Sequence, residues 1–302
     1  MTDYGRITEF GFFLVPSAAD YPALVEQARL ADRSGLELIG IQDHPYQRRF
    51  LDTFSLIAGL AAATDRVRFF PDVANLPLRP PAVMAKAAAS IDVMSGGRFE
   101  LGLGAGAFWD AIEGMGGPRW KPAAAVEAVA EAIEVMRLMW SGGRGLRFEG
   151  RHYRLKGIHS GPPAAHDIAV WVGAGGPRML DLIGSIADGW VPPARTEQSR
   201  LTEMQDRIDT AATGAGRAPA AVRRIYNVAG TITDGRRGDR FEGPVTAWIE
   251  ELTRLVVDVG MDTFIMWPAG DAAEQLKRFA EEVVPGVRGE VAAHRGDTGP
   301  HK

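Results

Sequence analysis

Asp43 and His44 stand side by side in Gln42-Asp43-His44-Pro45, directly after a short apolar run, and by residue type they are suited to moving a proton. An imidazole titrates near neutrality, so it can give a proton, take one, or hydrogen-bond a carbonyl oxygen while a neighbouring carboxylate orients it. The same residues also read as an Asp and a His satisfied by backbone in a loop closed by proline, and both readings stay open. A second stretch, Gly173-Ala174-Gly175-Gly176-Pro177-Arg178, is a glycine turn running into a helix marked by proline at its start. Such a start offers unpaired N–H groups to an anion, and the glycines admit a phosphate; an ordinary strand-to-helix turn has the same composition. A third stretch, Gly102-Leu103-Gly104-Ala105-Gly106-Ala107-Phe108-Trp109-Asp110, leaves room for a flat ring to lie on bare backbone. Its spacing superficially matches a dinucleotide fingerprint, but the early strand–helix–strand context is absent. Asp72, inside an apolar run, points either into the interior or towards a bound ring, and a buried carboxyl needs a partner or a proton.

Composition narrows the chemistry. There are no cysteines, which removes disulfides, thiolate metal sites, iron–sulfur clusters and cysteine nucleophiles. The six histidines, at 44, 152, 159, 166, 294 and 301, include no i, i+4 pair of the kind that grips zinc, so no metal site is expected. A net charge of -4 gives no broad basic surface for nucleic acid. Arg144, Arg147, Arg151, Arg154 and Lys156 do cluster, either as a solvated face or as a surface for an acidic coenzyme tail. The polar N-terminus and the lack of any run of 18 apolar residues predict a cytoplasmic protein without a membrane span.

The elements that must position these residues alternate. Short β-rich runs at 9–15, 37–42, 67–75, 98–103, 168–173, 188–192, 222–229 and 262–267 are each followed by a helical pattern, at 21–34, 54–64, 81–94, 122–140, 177–187, 197–213, 244–259 and 271–283. Eight such units in 302 residues predict an α/β protein of the (β/α)8 TIM-barrel type, one domain over 1–288, rather than an open doubly wound sheet. Residues 141–167, with Gly150 central, predict a small hairpin inserted before strand five and overhanging the active-site mouth. Pro285 is expected to stop the last helix and 289–302 to form a flexible tail. In such a barrel the site lies at the C-terminal strand ends, where the three glycine and histidine loops fall.

Taken together, these stretches resemble the luciferase-like monooxygenase superfamily from about residue 9 to 288. The likeness is carried by QDH at 42–44, RPPAVMAKAAASIDVMSGGRFELGLGAG at 79–106, VGAGGPRMLDLIGSIADGW at 173–190 and FAEEVVPGVR at 279–288. Within it, AGGP at 174–177 and DH at 43–44 look like the branch that uses coenzyme F420, an 8-hydroxy-5-deazaflavin. The resemblance implies hydride transfer between the deazaflavin C5 and a small organic substrate, with His44 as proton relay and Asp43 orienting it or the coenzyme. It also implies coenzyme contacts at Asp43, Asp72, Val73, Asn75, Ala105, Gly106, Asp110, Ala174, Gly175, Gly176, Pro177, Arg178 and Met179. A non-prolyl cis peptide maps to Asp72-Val73, and a homodimer is implied. Two departures stand out. Ala107 occupies the place of the glutamate proton donor of the sugar-phosphate enzymes, for which Glu113 is a distant substitute, and Asp72 replaces a small or hydroxyl residue. The alternatives are an FMN-dependent monooxygenase supplied by a separate flavin reductase, and a non-catalytic carrier of flavin or deazaflavin.

Overall fold

A computed structural model describes residues 3–194 and 196–297. Its elements are β1 (Glu9–Leu14), α1 (Tyr21–Arg33), β2 (Leu38–Ile41), α2 (Thr53–Ala61), β3 (Arg68–Pro71), β4 (Ala74–Asn75), α3 (Pro81–Ser95), β5 (Leu101–Gly104), α4 (Trp109–Gly114) and α5 (Pro122–Trp140). There follow β6 (Leu146–Glu149), β7 (Arg154–Ile158), β8 (Val170–Gly173), α6 (Pro177–Ile186), β9 (Gly189–Val191), α7 (Gln198–Gly214), β10 (Arg223–Ile232), β11 (Glu242–Gly243), α8 (Val245–Arg254), β12 (Thr263–Pro268), α9 (Ala272–Arg278) and α10 (Val284–Asp297).

The large sheet is parallel, in the order β3-β2-β1-β12-β10-β9-β8-β5-β4, and its ends meet through a parallel bridge between Phe69 and Phe99. This is the (β/α)8 barrel that the alternating pattern predicts, with the third expected strand split into β3 and β4 at a cis Asp72-Val73 peptide. Strand residues alternate between two apolar layers, as the two-residue period requires. Outward residues such as Phe10, Phe12, Ile39 and Phe264 pack under the helices, while Phe13, Leu38, Phe70, Trp171, Val191, Ile225 and Ile265 fill the barrel.

The floor of the barrel, at the N-terminal strand ends, is closed by charge. Arg68 bridges Glu9 at 2.7 Å and Glu100 at 2.8 Å, and Arg223 meets Glu9 at 3.0 Å. His166 joins from the loop before β8, with Nδ1 2.8 Å from Asp92 and Nε2 3.5 Å from Glu100. Those carboxylates hold its pKa above the usual histidine value, the Glu100 contact first.

Two expectations are corrected. The hairpin β6–β7 lies along the outside of α5 instead of over the mouth. Glu131 on α5 accepts the backbone N–H groups of Arg151, His152 and Tyr153, and Arg151 pairs with Glu127. Because α5 runs from the mouth to the floor, the chain leaves it at the floor end, and the hairpin packs back along its flank. The basic cluster is accordingly a helix-flanking surface, with Arg154 paired to Glu149. At the C-terminus the chain does not stop at Pro285. A π-helical turn over Phe279–Val283 leads into α10, where the proline sits in the first turn and its missing N–H costs little. Val284, Val287 and Val291 bury one stripe, and Arg295 grips Asp3 at 2.8 Å and 2.9 Å, so 289–297 is a pinned helix; residues 298–302 lie outside the described residues. Among the described residues no helix is long and apolar enough to cross a membrane.

Candidate active site

β2 ends at Ile41, so the chain turns at the barrel mouth with Gln42, Asp43 and His44. Asp43 is buried and fully engaged. Its Oδ2 accepts from the Asn75 backbone N–H at 2.8 Å and from Arg79 Nε at 3.0 Å, and Oδ1 accepts from Arg79 Nη2 at 2.8 Å. Arg79 also reaches Asp52, the N-cap of α2, at 2.6 Å and lies 4.7 Å over the Phe54 ring. A carboxylate fixed on both oxygens by a guanidinium is a brace, here tying the strand two loop to β4. Asp43 therefore positions its neighbours and does not itself present a free oxygen.

His44 is the free group. Its Nδ1 lies 3.0 Å from the Gln42 side-chain amide, which leaves Nε2 without a partner among the described residues. Burial lowers its pKa, with Asp43 opposing, so the ring is neutral at pH 7. It stacks on Tyr46 at 5.4 Å and meets Phe108 edge-on at 5.3 Å. These rings, with Asp43, Val73, Asn75, Ala105, Gly106 and Gly173, line a cavity of 130 Å³. Asn75 Oδ1 is out of solvent there with no hydrogen-bond partner. An unpaired buried acceptor costs on the order of 1–3 kcal/mol, so a donor is expected to fill it.

Through Ala105, Gly106 and Gly173 this cavity continues into a groove of 440 Å³ lined by Pro122, Val126, Ala174, Gly176, Pro177, Arg178 and Met179. The groove ends on the start of α6, capped by Gly176 without any side-chain hydrogen bond. Among the described residues the N–H groups of Gly175, Gly176 and Arg178 and the Arg178 guanidinium have no acceptor. A Cβ on Gly176 would meet open space, so a ligand has a clear approach. Together the two cavities form a trough, lined by a glycine-rich wall and ending in an anion cradle, of the size typical of cofactor sites.

Three expected contacts fall outside this lining. Gly175 faces Pro193 and Met204 instead. Asp110 sits on the surface in the first turn of α4, paired with Arg119, because that helix turns its side chain outward. Glu113 shares Arg119 and so offers no proton at the trough. Asp72 points into the barrel beneath it, where Oδ2 would lie 3.1 Å from a Cβ on Gly40. Its carboxyl is sealed from water although the residue is only partly buried, and this raises its pKa to about 7 against the opposing Asn227 amide. The room above the strand glycines is also partly taken. Val73 leans over Gly104 and Gly173, whose Cβ atoms would come within 2.7 Å and 2.8 Å of it, and so forms the trough's apolar back.

Sequence reasoning missed Arg79, Tyr46, Phe108 and Asn227. Arg79 had one signal, a cation just before Pro80-Pro81 at a strand end; the others had none. Among the described residues no group of three or more His, Asp or Glu is arranged to hold a metal.

Comparison with known proteins agrees with this fold. The family model for luciferase-like monooxygenases matches residues 8–237. The chain is 30% identical over 213 residues to 5,10-methylenetetrahydromethanopterin reductase of Archaeoglobus fulgidus, covering 70% of this chain and 60% of that protein. Its fold is similar to an F420-dependent secondary alcohol dehydrogenase solved with an F420–acetone adduct, at a TM-score of 0.83 and 18% identity over 94% of this chain and all (100%) of that one. It is also similar to the FMN-bound oxygenating constituent of 3,6-diketocamphane monooxygenase from Pseudomonas putida, at 0.75 and 18% over 93% and 98%. With that match across most of the barrel, the chain belongs to the luciferase-like monooxygenase family of flavin- and F420-dependent enzymes.

Proposed function

We propose that the protein is a coenzyme F420-dependent oxidoreductase, cytoplasmic and homodimeric, that transfers a hydride between the deazaflavin C5 and a small organic substrate. The observation that carries this reading is the continuous trough from His44 and Asn75 to the start of α6, with an unpaired ring-side acceptor at one end and unpaired N–H groups at the other. The 30% identity to a methanopterin reductase favours the F420 branch, as does the neighbour bound to an F420 adduct.

The bound coenzyme would supply the hydride chemistry itself. Val73 would back the ring, Asn75 Oδ1 would accept a hydrogen bond from its edge, and Gly176 and Arg178 would hold its phosphate. Asp43 and Arg79 keep Asn75 in place. His44 faces the substrate through Nε2. Its Nδ1 partner is an amide, which can donate or, turned over, accept; either neutral tautomer is therefore satisfied. In one tautomer Nε2–H holds a carbonyl oxygen; in the other Nε2 takes a proton from an alcohol.

Equilibrium binding of the apo-protein to F420 and, separately, to FMN, read by tryptophan quenching, tests the reading. Selective F420 binding supports it. Selective FMN binding with oxygen consumption would replace it with a monooxygenase fed by a flavin reductase, and binding of neither would overturn both coenzyme assignments.

A further inference from the structure

The mouth of the trough has a chemical character of its own. Among the residues lining the cavity at His44 there is no lysine or arginine, and its one carboxylate, Asp43, is already neutralised by Arg79. His44 is uncharged at neutral pH because burial disfavours its cation. A charged substrate would have to leave water there without a counter-ion, which a low-dielectric site penalises heavily.

The same place carries an aromatic wall drawn from two loops. Tyr46, from the turn after β2, and Phe108, from the loop after β5, lie 5.9 Å apart, and both touch the His44 ring. Phe108 is 57% exposed, among the few large apolar side chains left in water. An exposed phenylalanine at the lip of a cavity, edge-on to His44 and tilted 58° to Tyr46, leaves an open face for an apolar partner. The unpartnered polar nitrogen on the wall, His44 Nε2, offers one hydrogen bond.

We infer that the substrate is an uncharged, flat, apolar carbonyl compound, an aryl or cyclic ketone, packed on the Tyr46–Phe108 wall with its oxygen on His44 Nε2. This rests on the oxidoreductase reading and narrows it. Reduction adds a hydride to the carbonyl carbon and a proton to the oxygen, opening the C=O π bond to give a secondary alcohol. The two electrons come from the reduced coenzyme and the proton from solvent by way of the imidazole. Anionic sugar phosphates are excluded by the same wall, in keeping with Ala107 standing where a proton-donating glutamate is absent.

The test uses acetophenone as the flat ketone and glucose 6-phosphate as the anionic probe, with binding read from the His44 ring resonances in both apo- and coenzyme-loaded protein. Acetophenone is expected to shift those resonances and glucose 6-phosphate to leave them unmoved. Phe108→Ala is expected to weaken acetophenone binding by roughly tenfold, and in turnover assays to raise KM more than it lowers kcat. Tyr46→Leu should act in the same direction, guarding against a local collapse of one variant. Tighter binding of the sugar phosphate, or ketone affinity indifferent to both substitutions, would overturn the inference. Because the resonance shift needs no turnover, loss of the coenzyme assignment and loss of the ketone assignment are read separately.

Discussion

At the floor of the barrel Glu9, Arg68, Glu100 and Arg223 neutralise one another and His166 lies between two carboxylates, whereas at the mouth the one carboxylate is claimed by Arg79 and His44 meets only an amide and two rings. The histidines report the same contrast. Carboxylates raise the pKa of His166, while burial lowers that of His44. Paired charge makes the floor a fixture that ties together the starts of β1, β3, β5 and β10. The unpaired Asn75 Oδ1 at the mouth costs stability and is tolerated where a ligand completes it. The mouth is not unbraced, since Asp43 and Arg79 form a buried pair there, but the brace serves the backbone that carries the open groups.

The largest effect that would break this division is expected at Arg68. It lies between two carboxylates that are mostly buried, so Arg68→Met leaves Glu9 to Arg223 alone and Glu100 to His166 alone and should destabilise the fold by about 3 kcal/mol. Denaturant unfolding would show the loss, and coenzyme affinity of the remaining folded protein should be unchanged. A variant that lost affinity without losing stability would make the floor part of the site.

His44→Ala is the counterpart at the mouth. Turnover should fall on the order of 100-fold with coenzyme binding intact and little change in melting temperature. In the wild type the lowered pKa keeps the ring neutral to below pH 6.5, so the acid limb of kcat for alcohol oxidation, which needs a bare Nε2, should have its midpoint under that value. Stability follows the same sign: the contribution of neutral His44 is present above pH 6.5 and declines as pH falls below it. An acid limb centred above 6.5 would contradict the buried, neutral ring.

The two ends also differed in how much of them the sequence disclosed. The strands were legible because each is a short apolar run, and Asp43 and His44 were legible because they follow one. Their division of labour was not. Arg79 is 36 residues from Asp43, and no local pattern says that a distant cation will claim that carboxylate and leave the imidazole as the open group. Tyr46 and Phe108 carried no signal for a similar reason, since their wall exists only once two loops meet. The hairpin was visible as a hairpin, but its side of the molecule depended on the direction of α5. α10 was concealed by Pro285 and polar composition, although Val284, Val287 and Val291 keep a helical spacing.

A smaller effect separates the histidines by pH. His166 is raised, so its stabilising contribution is complete below pH 6.5 and is lost as pH rises through its folded value. His166→Ala should therefore cost about 1 kcal/mol at pH 6 and less at pH 8.5, with turnover unaffected at either. A penalty that grew with pH would mean that the Asp92 and Glu100 contacts do not favour the cation.

The finest distinction lies at Gln42, which touches the working histidine without carrying charge. If the amide only orients the ring, Gln42→Leu should reduce turnover a few fold, the worth of one neutral hydrogen bond, and leave the acid limb nearly where it was. Gln42→Glu should behave differently. A carboxylate at Nδ1 can only accept, so it fixes the Nδ1–H tautomer and favours the imidazolium, moving the acid limb upward and making the mouth histidine resemble the one at the floor. Above the raised acid limb, where the ring is neutral, alcohol oxidation, which needs a bare Nε2, should survive this substitution better than ketone reduction, which uses Nε2–H. Equal losses in the two directions would show that the tautomer is not set from Gln42, and that His44 is held by its ring contacts with Tyr46 and Phe108 alone.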